Sequence, residues 1–411
     1  MPARLLILIA LLAGAVPAQT SPSQSSPAIF SQVDEMLKGL SEITGWKVRR
    51  NVPSETLSRD KFAKMVDEGV KGAEGDKETH AAEVTLKMLG LVPQDFDLAR
   101  ESADLITEQA AAFYDYRKKR LFVLDTNQSS DEQRLALAHE LAHALADQQH
   151  PLQKYINGAK DDEDATARQA VVEGQATWLS WAYLSRRSGR KAEVPAALLD
   201  ELANSAGATG DGFPVFSQAP LYIRESLTFP YTDGMRFQDA VYRRLGSAAF
   251  ERVFRDPPRD TQQIIHPDIY LAAIAPVWPM PLALDSVIGK DARHFHAIGE
   301  GDIGEFDFSV LLRQFIGERV GREASSHWRG GSYRLYENKE TKAPLLAHAS
   351  EWDSPESARA FFTLYRKVLA GKWKKLEIAS SSDREITGSG DSGRFTVRLD
   401  GSIVQAIEGI R

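Results

Sequence analysis

The chain has no cysteine. Disulfides, thiol nucleophiles, lipid attachment through an N-terminal cysteine and thiolate metal ligands are therefore all excluded. It also lacks an excess of positive charge: 50 Lys and Arg stand against 57 Asp and Glu, a net charge of −7 that argues against a nucleic-acid partner. Beyond the first twenty residues no apolar run approaches the roughly twenty residues needed to cross a bilayer, so no membrane span is expected once a leader is removed. Internal repeats are missing as well. What is present, 411 residues with 43% hydrophobic and 26% charged, describes an ordinary globular protein with length enough for two cores.

The one sustained apolar stretch is at the start. Arg4, then Leu5 to Val16, then the small-residue exit Val16-Pro17-Ala18 read as a secretory signal peptide over residues 1–18. A Ser/Pro/Gln-rich segment follows, read as a disordered linker over residues 19–28. The mature protein is therefore expected to be secreted or periplasmic.

The most informative element is His139-Glu140-Leu141-Ala142-His143, an HExxH pattern inside a run, Gln133 to Gln149, of helical apolar spacing. At about 100° per residue, positions four apart return to nearly the same face, so the two imidazoles project side by side and can hold one metal ion. Glu140 sits to one side of that pair. It is placed to reach a water on the ion and is the expected general base. Five-residue patterns also arise by chance, so context decides: Ser130 with Gln133 forms a capping box, and Leu135, Leu137, Leu141, Ala144 and Leu145 supply a buried side.

A catalytic zinc keeps three protein ligands and one open position, so a third ligand must converge on the ion. The metzincin pattern HExxHxxGxxH fails here, with Ala146 at the glycine position, Gln149 at the last ligand position and His150 one residue late. Glu173 is the better candidate. It lies in a second helical stretch, Ala165 to Arg186, reached through a Gly-containing connection, and an antiparallel return over thirty residues brings it back to the motif. Its plain alternative is a surface glutamate. Against that, it is the sole acidic residue between Asp164 and Glu193 and stands among Ala170, Val171, Val172, Ala176 and Trp178, where a lone charge requires a partner. Gly174 beside it permits close helix approach.

This arrangement resembles the gluzincins, the thermolysin-like metallopeptidases in which a first helix supplies HExxH and a second a glutamate. The resemblance covers Leu135 to Thr177 and matches His139, Glu140, His143 and Glu173. It implies one Zn2+ per chain and a peptide or protein substrate. Thermolysin would show Asn before the ligand glutamate and Asp four residues after it, where this chain has Val172 and Thr177. The Gly-x-Met-Glu-Asn element of the aminopeptidase branch is not present either. The pattern is also similar to bacterial secreted proteins with HAxxDQ, EGxAT, FPYxxG and IxHP segments, here His143 to Gln148, Glu173 to Thr177, Phe229 to Gly234 and through Ile265 to Pro267.

Such a site hydrolyses peptide bonds: the ion acidifies a water and polarises the carbonyl, while Glu140 takes the proton and delivers it to the leaving amine. An oxyanion donor is needed, and Tyr231 and His266 are the candidates, each equally readable as structural. Ala112 to Tyr116 and Arg120 to Asp125 read as a β-hairpin around a solvated basic turn, Arg117 to Lys119, whose edge could hold an extended substrate. The Ala203 to Pro220 stretch could form a flap. The competing reading is a non-catalytic binding or envelope-assembly protein with a structural or relic zinc site, which a fourth protein ligand such as His150 or His266 would favour.

The expected fold class is α+β. A mainly helical, zincin-like domain with a small sheet before the metal helix occupies residues 29–323, and a small α+β domain occupies residues 324–411. In the latter, Trp328 to Tyr336 and Leu345 to Trp352 read as strands, Ser354 to Ala370 as an amphipathic helix and Arg394 to Ile407 as a hairpin around Asp400-Gly401.

Overall fold

The computed structural model describes residues 31–73, 76–124, 130–199 and 213–411. The signal peptide and linker expected over residues 1–28, the Ser130 side-chain cap, the end of the hairpin at Asp125 and residues 203–212 of the expected flap lie outside the described residues or side chains.

The fold is α+β. α1 (Val33–Thr44) buries Val33, Met36, Leu37 and Leu40, the spacing that lines one helical face, and stops at Gly45, whose φ of 75° makes the left-handed cap. β1 (Ser54–Leu57), α2 (Arg59–Ala73), α3 (Lys77–Leu89) and α4 (Leu98–Gln109) lead to β2 (Ala112–Asp115) and β3 (Arg120–Leu124). β2 and β3 form the expected antiparallel hairpin, and β1 adds parallel to β3, giving the order β1-β3-β2. β2 is thus an edge strand. α2 and α4 cover this sheet through Phe62 and Val66 of the former and Ala103 and Ile106 of the latter, against Leu57, Phe122 and Leu124.

α5 (Ser130–Gln149) carries the HExxH element, and α6 (Leu152–Asn157) turns the chain into α7 (Asp162–Arg187), capped by the Asp161 side chain on the Asp164 N–H. After α8 (Pro214–Gln218), the long α9 (Leu221–Leu245) lies along α7. A Cβ at Gly174 would overlap the Gly234 carbonyl, and one at Gly234 would overlap the Ala170 carbonyl. The two helices therefore cross backbone against backbone, which accounts for the glycines of both the EGxAT and the FPYxxG segments.

α10 (Ala248–Arg255), α11 (Thr261–Ile265), α12 (Pro267–Leu271) and α13 (Leu284–Ile288) bridge to a second sheet. Its strands are β4 (Phe295–Asp302), β5 (Trp328–Asn338), β6 (Pro344–Trp352), β7 (Leu376–Ser381), β8 (Glu385–Gly390), β9 (Gly393–Asp400) and β10 (Ile403–Ile410), in the antiparallel order β4-β5-β6-β10-β9-β8-β7. The sheet thus recruits its first strand upstream of residue 324, with α14 (Glu305–Phe315) and α15 (Glu318–Ser325) between β4 and β5. α16 (Pro355–Lys372) packs on it through Ala358, Phe361, Phe362, Tyr365 and Leu369. Gly401, at φ 58°, turns β9 into β10 at the expected place. One continuous apolar cluster runs from Met36 and Leu141 through Trp178 and Phe308 to Trp352 and Phe361.

Within that core, Glu408 accepts hydrogen bonds from Tyr365 Oη (2.6 Å) and Lys372 Nζ (2.6 Å), and Tyr365 Oη also meets His348 Nε2 at 2.8 Å. Lys372 Nζ additionally donates to the Met88 carbonyl at 3.0 Å, tying the second sheet to α3. Burial alone would raise the Glu408 carboxyl, but Lys372 and His348 outweigh it and hold it at about 2. A depressed carboxyl stabilises the fold above its unfolded value, about 4.3, and that stabilisation is lost as pH falls through the folded value. The stability advantage of the wild type over Glu408→Gln, about 3 kcal/mol near neutrality, is therefore expected to shrink between about pH 4 and 2, which urea unfolding across that range measures.

Candidate metal centre

His139 and His143 lie one turn apart on α5, where Leu137, Leu141 and Leu145 bury the rest of the helix and leave the imidazoles facing α7. Glu173 projects from α7 to meet them. Its Oε2 is 3.2 Å from His139 Nε2 and 3.2 Å from His143 Nε2, and the two nitrogens are 3.0 Å apart. Ligand atoms about 2.0–2.1 Å from a tetrahedral zinc lie about 3.3 Å from one another, so the triangle has the size such an ion requires. All three residues are buried. The His139–Glu140–His143 group, whose ligand atoms lie within 4.8 Å of one another, can hold a metal ion.

Protein electrostatics alone put two of the three groups, His139 and Glu173, in the form that binds a metal. Burial lowers His139, favouring the neutral imidazole that coordinates a metal. Burial would raise Glu173, yet the neighbouring imidazoles prevail and hold its carboxyl at about 2. His143 moves upward, because the carboxylates of Glu173, Glu140 and Asp147 together exceed the opposing effect of burial.

Glu140 stands beside the triangle. Its Oε2 accepts the Tyr114 N–H of edge strand β2 at 2.7 Å, whereas its buried Oε1 has no hydrogen-bond partner. Burial pushes this carboxyl up to about 8, with Glu173 adding to the rise and His143 and the Tyr114 N–H opposing it. Tyr231, on α9 one turn before Gly234, stacks against His139 with ring centroids 5.9 Å apart. Its hydroxyl is buried and makes no bond at full hydrogen-bond geometry, but it lies within reach of the Glu173 carboxylate. Burial and the carboxylates of Glu173 and Glu140 raise it well above the ordinary tyrosine value, so it stays protonated and can donate. Buried polar atoms are rarely left unpaired, and the unpaired Glu140 Oε1 beside the converging atoms of His139, His143 and Glu173 fits a polar occupant between them.

The remaining expected residues sit elsewhere. His266, between α11 and α12, pairs with Glu305 Oε1 at 2.8 Å. His150 pairs with Glu251 Oε2 at 2.8 Å and stacks on Phe254. Neither is drawn to the triangle by these bonds. Val172 is buried, and Thr177 spends its hydroxyl on the Glu173 carbonyl at 2.8 Å, so the surroundings of Glu173 differ from the thermolysin pattern.

The basic turn is not simply a solvated tip. Lys119 adopts φ 55° and brings Nζ to both oxygens of buried Asp147, at 2.8 and 2.7 Å. The local sequence conceals this because the carboxylate lies on α5, 28 residues away. Tyr116, in the same turn, has its hydroxyl raised by burial, Asp115 and Glu173, with Arg117 opposing. An aromatic in a hairpin turn carries no pattern that signals this.

Residues 98–184 match the family model of the IrrE N-terminal-like domain, a peptidase M78 family, and residues 293–411 match that of a domain of unknown function (DUF8575). The first match spans α4 to α7 and includes all three residues of the triangle together with Glu140. It is a similarity to a zinc-metallopeptidase-like family. No curated protein and no solved structure matches the chain.

Proposed function

We propose that the protein is a secreted or periplasmic zinc-dependent peptide-bond hydrolase of gluzincin type, with His139, His143 and Glu173 as ligands of one Zn2+ and Glu140 as general base. The observation that carries this reading is the convergence of His139 Nε2, His143 Nε2 and Glu173 Oε2 to within 3.2 Å, beside a Glu140 Oε1 with no partner. A zinc held there supplies Lewis acidity, acidifying a water and polarising the scissile carbonyl.

The chain's own residues divide the remaining work. Glu140 Oε2 is fixed by the Tyr114 N–H, which leaves Oε1 to accept the proton of the attacking water and pass it to the leaving amine as the C–N bond breaks. Tyr231 Oη donates to the oxyanion that forms on the carbonyl oxygen. The edge of β2 is the surface on which an extended peptide aligns. Export is supported by the apolar leader at Leu5 to Val16.

Digestion of an unbiased peptide library by the purified protein tests the reading. Cleavage that stops with a chelator and returns with zinc supports it; a zinc-loaded protein that cleaves nothing favours the non-catalytic envelope protein. Tyr231→Phe removes only the donor and is expected to slow turnover by about 10²-fold while one zinc remains bound. Steady-state kinetics with metal analysis check this, and an unchanged kcat would remove Tyr231 from the mechanism.

A further inference from the structure

We propose that Asp147 is a positioning residue that locks the β2–β3 hairpin onto α5, so that the Tyr114 N–H holds the Glu140 carboxylate in place. The inference rests on the reading of Glu140 as the base. Asp147 belongs to the HAxxDQ segment, which the metal ligation itself leaves unexplained.

The Asp147 side chain is fully buried, and its two oxygens are saturated. Oδ1 accepts the Leu152 N–H at 3.0 Å and Lys119 Nζ at 2.8 Å; Oδ2 accepts Lys119 Nζ at 2.7 Å, Tyr114 Oη at 3.0 Å and Arg50 Nη2 at 3.2 Å. An ionised carboxylate has about four acceptor positions, and here they are spent on joining separate segments rather than on capping its own helix.

Tyr114 is the connecting piece. Its hydroxyl is held by Asp147 and its main-chain N–H is given to Glu140. Glu140 and Asp147 are two turns apart on α5, so they share a face, and one residue of β2 is pinned to that face at two points. A one-residue slip of a strand exchanges its faces, so two pins on one residue fix both the register of β2 and the orientation of the base.

The other partners hold the same frame. Lys119 keeps a left-handed backbone that a residue with a Cβ seldom adopts, and its Nζ lies on Asp147. Gln148 Oε1 accepts the N–H groups of Arg49 and Arg50, at 2.7 and 3.1 Å, and Nε2 donates to the Arg50 carbonyl, which sets the approach of the Arg50 guanidinium. The Asp-Gln pair thus fastens both the hairpin and the segment leading into β1.

The test uses Asp147→Asn and the milder Tyr114→Phe in the full chain, with Lys119→Met and Lys119→Arg as a rescue pair. Hydrogen exchange over residues 112–124 and 139–149, metal content and the split between kcat and KM are measured. Exchange across the hairpin is expected to rise about tenfold or more in Asp147→Asn, with α5 unchanged and one zinc per chain retained. In parallel, kcat is expected to fall by about tenfold at nearly constant KM, and Lys119→Arg to recover what Lys119→Met loses. Unchanged hairpin exchange in both Asp147→Asn and Tyr114→Phe overturns the proposal, as does loosening of the hairpin and α5 together, which marks a purely structural role. If the wild type cleaves no peptide, the hydrolase reading fails while the exchange result still decides whether Asp147 fastens the hairpin.

Discussion

Glu140→Gln is expected to keep one zinc per chain and to lose peptide hydrolysis by about 10²–10⁴-fold, the range over which a positioned general base acts. The substitution is nearly isosteric. Gln retains an oxygen that can accept the Tyr114 N–H, so the contact at 2.7 Å survives and the fold is undisturbed. What disappears is the basic lone pair of Oε1, the atom that has no partner in the structure. Because the proposed ligands are His139, His143 and Glu173, whose atoms converge without Glu140, metal content should not change. Metal analysis beside a peptide assay reads both, and cleavage at the wild-type rate would show that the proton goes elsewhere.

Gly174→Ala is expected to destabilise the protein by about 3 kcal/mol, the upper part of the range for overpacked positions. In an open helix the same change stabilises by roughly 1 kcal/mol, so the sign alone is informative. At Gly174 the added methyl would overlap the Gly234 carbonyl, which is backbone and has no rotamer to escape into. α7 and α9 would have to separate, carrying Glu173 and Tyr231 away from the imidazoles. Gly69, inside α2, supplies the control: a Cβ there meets nothing within 4 Å, so Gly69→Ala should stabilise the chain. Urea unfolding of both variants measures the contrast. Equal effects would mean that the helix crossing has room to spare.

The convergence of His139, His143 and Glu173 was legible because its logic is helical and local. Two histidines four apart must share a face, and a lone glutamate amid apolar residues on the returning helix had to find a partner. The β2–β3 hairpin announced itself through alternation, and Asp400-Gly401 through turn chemistry. Other elements carried weaker signals. β1, Ser54-Glu55-Thr56-Leu57, is short and mostly polar, and its partner strand β3 begins at Arg120, so no local pattern identifies it. β4 contains His296, Gly299, Glu300, Gly301 and Asp302, residues poor in strand preference that the sheet tolerates at its edge. β7 and β8, rich in Ser, Gly and Glu, carry an equally weak strand signal.

Between the two oxyanion candidates the sequence offered no choice, since Tyr231 and His266 both stand in suggestive segments. Packing separates them. The glycine crossing carries Tyr231 against His139, whereas His266 is engaged by Glu305. Asp147 and Lys119 show the complementary difficulty, an ion pair made across elements whose members look unremarkable in their own surroundings.

Zinc content after exhaustive dialysis, compared between the wild type and Glu173→Ala, tests the central claim most directly. The account predicts one zinc per chain in the wild type and little or none in Glu173→Ala, with the helical circular dichroism signal of both proteins alike. A wild type that binds no zinc, or a Glu173→Ala variant that retains a full equivalent, would contradict it.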